Sequence, residues 1–178
     1  MFALRMTVGN VWTWGGVIKV EISELQDKLT GALIGLVRAT EGNEHKVSSE
    51  TNRIVIEGLF ATTNMNCDQD FLLSLLAQVE VEKRRLVPRC YGCEKQCGRN
   101  DDYDMQKLWV ADEDIRALKS LILLGIRDIA AHLHHTKKLN HSDSETNEIF
   151  YKALFAIGMD DWGVEDLLPL VIEVGKKI

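Results

Sequence analysis

Three of the four cysteines lie within eight residues of one another, at Cys90, Cys93 and Cys97. Their C-x2-C-x3-C spacing, on a short loop that also contains glycine, lets several sulfur atoms turn toward one point. Thiolates are soft ligands that bind zinc and iron–sulfur clusters, and such sites usually contain four of them. Cys67 is the remaining thiol and therefore the candidate fourth ligand, although three-cysteine iron–sulfur sites with an open iron also exist. The sequence leaves three outcomes open: an iron–sulfur cluster, a zinc ion, or reduced surface cysteines that bind no metal.

The elements that must position these cysteines are two similar segments on either side of them. The tetrapeptide Ser-Glu-Thr-Asn at residues 49–52 recurs at 144–147, and Leu-Phe-Ala at 59–61 recurs at 154–156. Both pairs are 95 residues apart, and leucines later in the two segments keep the same offset without a gap. This pattern predicts a tandem duplication of one helical unit.

Apolar residues at helical spacing predict three helices in each copy. In the first copy we expect helices over 22–40, from an N-cap at Ser49 and from a cap at Asp68. In the second copy we expect helices from Asp112 or Asp114, from Asp143 or Ser144, and over 164–174. Pro169 lies inside the last of these, which is tolerable only if that helix starts late or bends there.

Three helices are too few to bury their apolar faces well alone, so we expect the two copies to pack against each other. The predicted fold is all-α, a tandem repeat of two three-helix bundles. The first repeat, at 1–87, begins with a segment that contains no cysteine. The cysteine loop and the second repeat occupy 88–178.

The composition limits the classes of partner and location. The net charge of −6, with acidic and basic residues mixed along the chain, argues against a nucleic-acid surface or a binding face for anionic membranes. The N-terminus does not resemble a signal peptide, and no apolar run approaches the roughly 20 residues of a membrane span. Clustered cysteines are unlike the spread framework of a secreted disulfide protein, so we expect a reducing, cytoplasmic location.

Histidines and tryptophans are weaker candidates for chemistry. His132, His134 and His135 lie at the end of a predicted helix, where two imidazoles could bind a metal. Histidines in a last turn more often simply interact with the helix dipole, which is the interpretation we favour. Four tryptophans lie in or beside the segments between helices, and we expect them to close the ends of the bundles: Trp12, Trp14, Trp109 and Trp162.

A family resemblance rests on two groups of residues. Cys90-Tyr91-Gly92-Cys93-Glu94, with Glu145-Thr146-Asn147 and Ala153-Leu154-Phe155-Ala156 further on, resembles the N-terminal region of hybrid-cluster proteins, the prismane or hydroxylamine reductase family. In that family a Met-Phe-Cys-Tyr-x-Cys-Glu signature binds an iron–sulfur cluster and is followed by three-helix bundles. Residues 1–6 resemble the same signature with both cysteines replaced, by Ala3 and Met6.

Departures from the family pattern shape the functional prediction. The family's first cluster uses four cysteines, and the neighbourhood where the last is expected, residues 108–111, contains none. The family's reduction chemistry occurs at a hybrid cluster held by later α/β domains, so the resemblance implies that this chain is not a complete hydroxylamine reductase. We predict a non-catalytic helical scaffold or interaction module with a residual metal site. The alternative is an iron–sulfur protein for electron transfer or redox sensing. Its partner would be a redox protein or a second copy of the chain.

Overall fold

The computed structural model describes residues 21–64, 66–87, 102–138 and 143–178, and every regular element in these ranges is helical. The all-α prediction is therefore confirmed for the described part of the chain. The described residues form seven α-helices, and a short 3-10 turn at Glu44–Lys46 joins the first two. The helices are α1 (Ile22–Thr40), α2 (Ser49–Ala61), α3 (Gln69–Leu86), α4 (Gln106–Val110), α5 (Glu113–His135), α6 (Ser144–Gly158) and α7 (Val164–Gly175).

Helix boundaries repeat with the offset that the sequence shows. The first residues of α2 and α6 are 95 positions apart, as are those of α3 and α7. The Ser48 hydroxyl caps α2 by accepting a hydrogen bond from the Thr51 amide, and the Asp143 carboxylate caps α6 by accepting one from the Thr146 amide. Side-chain acceptors at these positions satisfy amides that have no partner in the first turn. Ser49, which the sequence favoured as a cap, is instead the first residue of α2.

The helices contact one another in two groups. Helices α1, α2 and α3 contact each other pairwise, and so do α5, α6 and α7. Between the groups, α1 packs against α6 and α2 packs against α5. Because α2, α3 and α6 all pack on α1, every residue of this helix from Leu29 to Val37 is buried. Each fully buried leucine contributes about 1.5–3 kcal/mol relative to exposure.

Pro169 lies inside α7, whose first residue is Val164. Of the two ways in which the sequence allowed for this proline, a late start and a bend in the helix, the late start is excluded. Proline has no amide hydrogen, so the carbonyl of Glu165 loses its partner in the helix. Glu165 is exposed, and water can satisfy that carbonyl. None of the described helices is both long enough and apolar enough to span a membrane.

Candidate functional site

The cysteine loop is the candidate site, and its two flanks are described. Cys90, Cys93 and Cys97 lie in residues 88–101, outside the described ranges. The chain enters this loop after Val87, directly beyond the end of α3, and leaves it at Asp102. The described flanks show how the helices hold the two ends of the loop.

An ion pair connects the two ends. Lys83, in the last turn of α3, donates through Nζ to the carboxylate of Asp102 and, at 2.7 Å, to that of Glu80. The Lys83 side chain is only 5% exposed, and Asp102 is about half exposed. Burial opposes the charge on Lys83, but its hydrogen bonds to Asp102 and Glu80 outweigh this effect and raise the pKa of the ammonium group. A buried lysine thus ties the exit of the loop to the helix from which the loop begins.

A backbone contact fixes the next residue to α1. The Tyr103 amide donates to the Gly31 carbonyl oxygen at 3.0 Å, and the guanidinium of Arg38 lies 5.7 Å from the centre of the Tyr103 ring. A Cβ atom on Gly31 would overlap the carbonyl oxygen of Tyr103. Only glycine permits this close approach of the two backbones. Burial also raises the pKa of Tyr103.

The rest of this segment stays against the helices as it approaches α5. Met105 and Leu108 are buried, and Lys107 pairs with Asp160, beyond the end of α6, at 3.1 Å. Trp109 is 58% exposed, so the expectation that it closes the end of a bundle is wrong. Trp162 does pack on the core, edge-on to Phe155, whereas Trp12 and Trp14 lie outside the described residues.

An acidic cleft of about 470 Å³ lies between this segment and α1. Four carboxylates and two aromatic rings line it: Glu24, Asp27, Asp102, Asp104, Tyr103 and Trp109. Glu24 is paired with Lys28 at 2.8 Å. Among the described residues, no three His, Cys, Asp or Glu side chains are grouped so that they could hold a metal. The cleft is a solvated acidic surface beside the loop.

Cys67 and the start of the cysteine loop lie at opposite ends of α3. Cys67 precedes α3, whereas the loop follows α3. Cys67 is buried and is a free thiol, and burial raises its pKa. A raised pKa disfavours the thiolate, which is the form that binds metals.

Two of the candidate histidines, His134 and His135, take part in packing. The His134 ring stacks on Phe60 of α2, with ring centres 3.7 Å apart, and lies edge-on to His135. This stack forms part of the contact between α2 and α5. The Nδ1 atom of His134 is buried and has no hydrogen-bond partner among the described residues. The structure thus gives His134 a packing role between helices, which the sequence did not reveal.

Two cations hold the end of α6, and the sequence singled out neither. Arg38 of α1 donates to the Gly158 carbonyl oxygen. Lys119 of α5 is buried and donates through Nζ to the carbonyl oxygens of Ile157, at 3.1 Å, and Met159, at 2.6 Å. These groups satisfy carbonyls that lack partners in a last turn and interact favourably with the negative end of the helix. Burial lowers the pKa of Lys119.

The end of α2 is held in the same manner. Gln26 of α1 donates through Nε2 to the carbonyl oxygens of Ala61, at 3.0 Å, and Asn64, at 3.2 Å. Arg127 of α5 donates through Nε to the hydroxyl of Thr62 at 2.9 Å. At the ends of both α2 and α6, therefore, one side chain comes from the same group of helices and one arginine comes from the other group.

Comparison with known proteins identifies several relatives of this chain. No protein-family profile matches the chain. The chain is 29% identical to a hydroxylamine reductase of Methanococcus vannielii, over 90% of this chain and 33% of that protein. It is 31% identical to a hydroxylamine reductase of Natranaerobius thermophilus, and 29% identical to one of Thermoanaerobacter pseudethanolicus. These matches cover 87% and 88% of this chain, and 32% of each relative.

The chain therefore spans about a third of the length of the curated relatives that it matches. The sequence resemblance to the hybrid-cluster protein family is confirmed, because these relatives are hydroxylamine reductases. This chain is similar in sequence to one region of the hydroxylamine reductases.

Proposed function

We propose that this chain is a non-catalytic helical scaffold, built as two three-helix bundles, that holds one iron–sulfur cluster in its cysteine loop and docks a protein partner. The observation that carries the proposal is the attachment of both flanks of the loop to the helices. Lys83 binds Asp102, and Gly31 accepts a hydrogen bond from Tyr103. Flanks held in this way reduce the conformational entropy that three thiols must lose to converge on one centre.

The contact pattern supports the two-bundle architecture. Helices α1 to α3 contact one another, as do α5 to α7, and the contacts between the groups are reciprocal. The two arginines follow the same reciprocal pattern, because Arg38 of α1 binds the end of α6 and Arg127 of α5 binds the end of α2. We infer that the duplicated units face each other about an approximate two-fold axis.

The scaffold role is supported by the difference between the two copies. Both have the same helical framework, whereas the cysteine motif occurs only before the second copy. The framework therefore does not depend on metal ligands in its first copy. This independence favours structural support and partner binding as the function common to both copies.

The donor set fits an iron–sulfur cluster by its chemistry. Cys90, Cys93 and Cys97 supply three soft thiolates, and an iron–sulfur cluster bound there would supply one-electron redox chemistry. Zinc is the competing metal for the same donors. The chain's own residues contribute the attachment of the flanks, through Lys83 and Gly31, and the acidic surface beside the loop.

We propose that Cys67 is not a ligand of this site. Helix α3 has 18 residues and separates Cys67 from Val87 by about 27 Å along its axis. The three residues from Val87 to Cys90 span at most about 11 Å when fully extended. Cys67 and Cys90 therefore stay roughly 15 Å apart or more, whereas two sulfur ligands of one zinc ion are only about 4 Å apart.

The deciding experiment is the iron, acid-labile sulfide and zinc content of the chain after anaerobic purification, for the wild type and two serine variants. We expect about three to four irons per wild-type chain with matching sulfide, as in cubane-type clusters. Cys93→Ser should lose this metal and melt at a lower temperature, because metal bound to the folded state stabilises it. Cys67→Ser is the matched control and should keep the metal.

Each contrary result has a definite meaning. Stoichiometric zinc without iron would replace the cluster with a structural zinc site. No metal in the wild type, or equal metal content in Cys93→Ser, would leave a helical interaction module without a cofactor. Equal loss of metal in Cys67→Ser and Cys93→Ser would overturn the three-thiol assignment.

A further inference from the structure

We propose that the outer face of α7 binds the same face of a second copy of this chain, so that two α7 helices pair antiparallel across a two-fold axis. The inference rests on the scaffold role proposed above, because it names a partner for that scaffold, and it does not depend on the metal site. It is carried by a strip of apolar side chains on α7 and by two charged side chains beside that strip.

The strip consists of three large apolar residues along one line of α7. Val164, Leu168 and Ile172 are 42%, 47% and 53% exposed. They follow one another at four-residue intervals within a single helix. Side chains at this spacing are neighbours on a helix surface, so the three form a continuous apolar strip about 12 Å long. About half of each side chain remains in contact with solvent.

The buried side of α7 points in another direction. Leu167, Leu170 and Val174 are at most 6% exposed, and α7 contacts α5 and α6. With 3.6 residues per turn, the centre of the exposed strip lies roughly 130° around the helix axis from the centre of these buried residues. The strip is therefore separate from the contacts that hold α7 in its bundle.

The strip is specific to the second copy. The 95-residue offset equates its three positions with residues of α3, namely Gln69, Leu73 and Ala77. Of these, only Leu73 is a large apolar residue, and it is 39% exposed. The repeated fold therefore does not require apolar residues on this face. A continuous exposed apolar surface, unlike single exposed apolar residues, marks a contact site.

Two charged residues lie along one side of the strip. Glu165 is in the first turn of α7, and Lys176 is the C-cap residue, with helical backbone angles. They are 11 residues apart, which is close to three full turns, so they lie on the same side of the helix. Both are exposed, and neither has an ion pair among the described residues. Their charges are therefore free to pair with another molecule.

Strip and charges together are complementary to a second copy that runs antiparallel. A two-fold axis level with residue 170 places Leu168 against Ile172 of the second copy. It also places Glu165 within about 1.5 Å, one residue of axial rise, of Lys176 of the second copy. The symmetry produces each of these pairs twice. A parallel pair would instead bring Glu165 to Glu165 and Lys176 to Lys176, so the charges favour the antiparallel arrangement.

The size of the strip sets the strength of the contact. One face of a single helix is small compared with the roughly 800 Å² that each partner buries in a standard interface. The dimer therefore belongs to the weak, transient class and exchanges with the monomer. Its population must rise with protein concentration by mass action.

The test is sedimentation equilibrium of the full chain at increasing concentrations. We expect a reversible equilibrium between monomer and dimer. Leu168→Glu should weaken dimerisation about tenfold or more, because a charge buried in the contact opposes it. Leu73→Glu, at the equivalent position of α3, is the matched control and should dimerise like the wild type. A wild type that stays monomeric, or equal dimerisation in Leu168→Glu, would overturn the proposal.

A charge exchange tests the antiparallel arrangement. Glu165→Lys and Lys176→Glu should each weaken self-association about tenfold, because each creates two repulsive pairs in the dimer. An equimolar mixture of the two variants should recover the dimer, because opposite charges then meet in both pairs. In a parallel pair, neither single reversal would matter, because like charges meet before and after it. Unchanged self-association of the single variants, or no recovery in the mixture, would overturn the antiparallel pairing.

Circular dichroism of each variant verifies that its helices form. Metal content is measured separately from association, so the two proposals fail in different ways. A wild-type monomer that contains the cluster would overturn the pairing of α7 and leave the cluster proposal intact. A dimer without metal would overturn the cluster proposal and leave the pairing intact.

Discussion

Replacing Gly31 with alanine should loosen the attachment of the cysteine loop to α1. The new Cβ atom would overlap the Tyr103 carbonyl oxygen and lie 3.3 Å from its carbonyl carbon. The backbone of Tyr103 must retreat by about 1 Å to restore ordinary van der Waals separation. That movement weakens the 3.0 Å hydrogen bond between the Tyr103 amide and Gly31.

The magnitude follows from three opposing contributions. Overpacking at a tight contact costs about 1–3 kcal/mol. Loss of one backbone hydrogen bond costs about 1 kcal/mol more. Alanine recovers about 1 kcal/mol because it is a better helix former than glycine. We expect the free energy of unfolding to fall by about 1–3 kcal/mol.

The assay is urea unfolding followed by circular dichroism, with Gly175→Ala as the matched control. Gly175 is also helical, but a Cβ atom there meets nothing within 4 Å. The control should therefore be neutral or slightly stabilised. If Gly31→Ala is as stable as the wild type and the control, then the close approach of Tyr103 does not constrain this position, and our account of the attachment of the loop is wrong.

Three further substitutions test charged groups. Glu82 is buried and accepts hydrogen bonds from Arg85, which lower the pKa of its carboxyl group in the folded state. The carboxylate therefore stabilises the fold fully above its unfolded pKa of about 4.3. This stabilisation is lost as the pH falls through the lower pKa of the folded state. Melting of Glu82→Gln should accordingly depend less on pH below about 5 than melting of the wild type, and parallel profiles would contradict this. Lys119→Met should lower the free energy of unfolding by about 1–2 kcal/mol in urea titrations, because the carbonyls at the end of α6 lose their donor; an unchanged midpoint would refute that role. Asp102→Ala should speed tryptic cleavage within residues 88–101 several-fold, because the ion pair with Lys83 is lost. The melting temperature should stay nearly unchanged, because the carboxylate that is removed is half exposed. Equal cleavage rates in the variant and the wild type would show that the ion pair does not hold the loop.

The helices were predictable because their signals are local. Apolar spacing predicts α1 and α5, and short polar side chains before apolar runs indicate the helix starts. They identify the cap at Asp68 directly, whereas the caps Asp112 and Asp143 are each one of two candidates that the sequence offers. The start of α7 at Val164 is also predicted by the sequence, and Pro169 lies inside this helix. A proline on a solvent-exposed turn loses one hydrogen bond, which water can replace.

The parts of the site that the sequence missed all depend on contacts between distant residues. In the sequence, Lys83 resembles any lysine in a charged run that ends a helix. In the structure it is buried, and it donates a hydrogen bond to Asp102, 19 positions away. Arg38 and Gly158 are separated by 120 positions. No local pattern distinguishes such residues from solvated ones, because their partners are set by how the helices pack.

By itself, the sequence determined the all-helical class, the 95-residue repeat and the relationship to hydroxylamine reductases, because apolar periodicity, identical peptides and a motif are all properties of the chain order. The tertiary structure decided which helix ends Arg38 and Arg127 bind, why Gly31 must be glycine and which apolar side chains stay exposed. Those features arise only when helices from the two copies pack together, since burial and hydrogen bonding depend on neighbours that the order of residues does not specify.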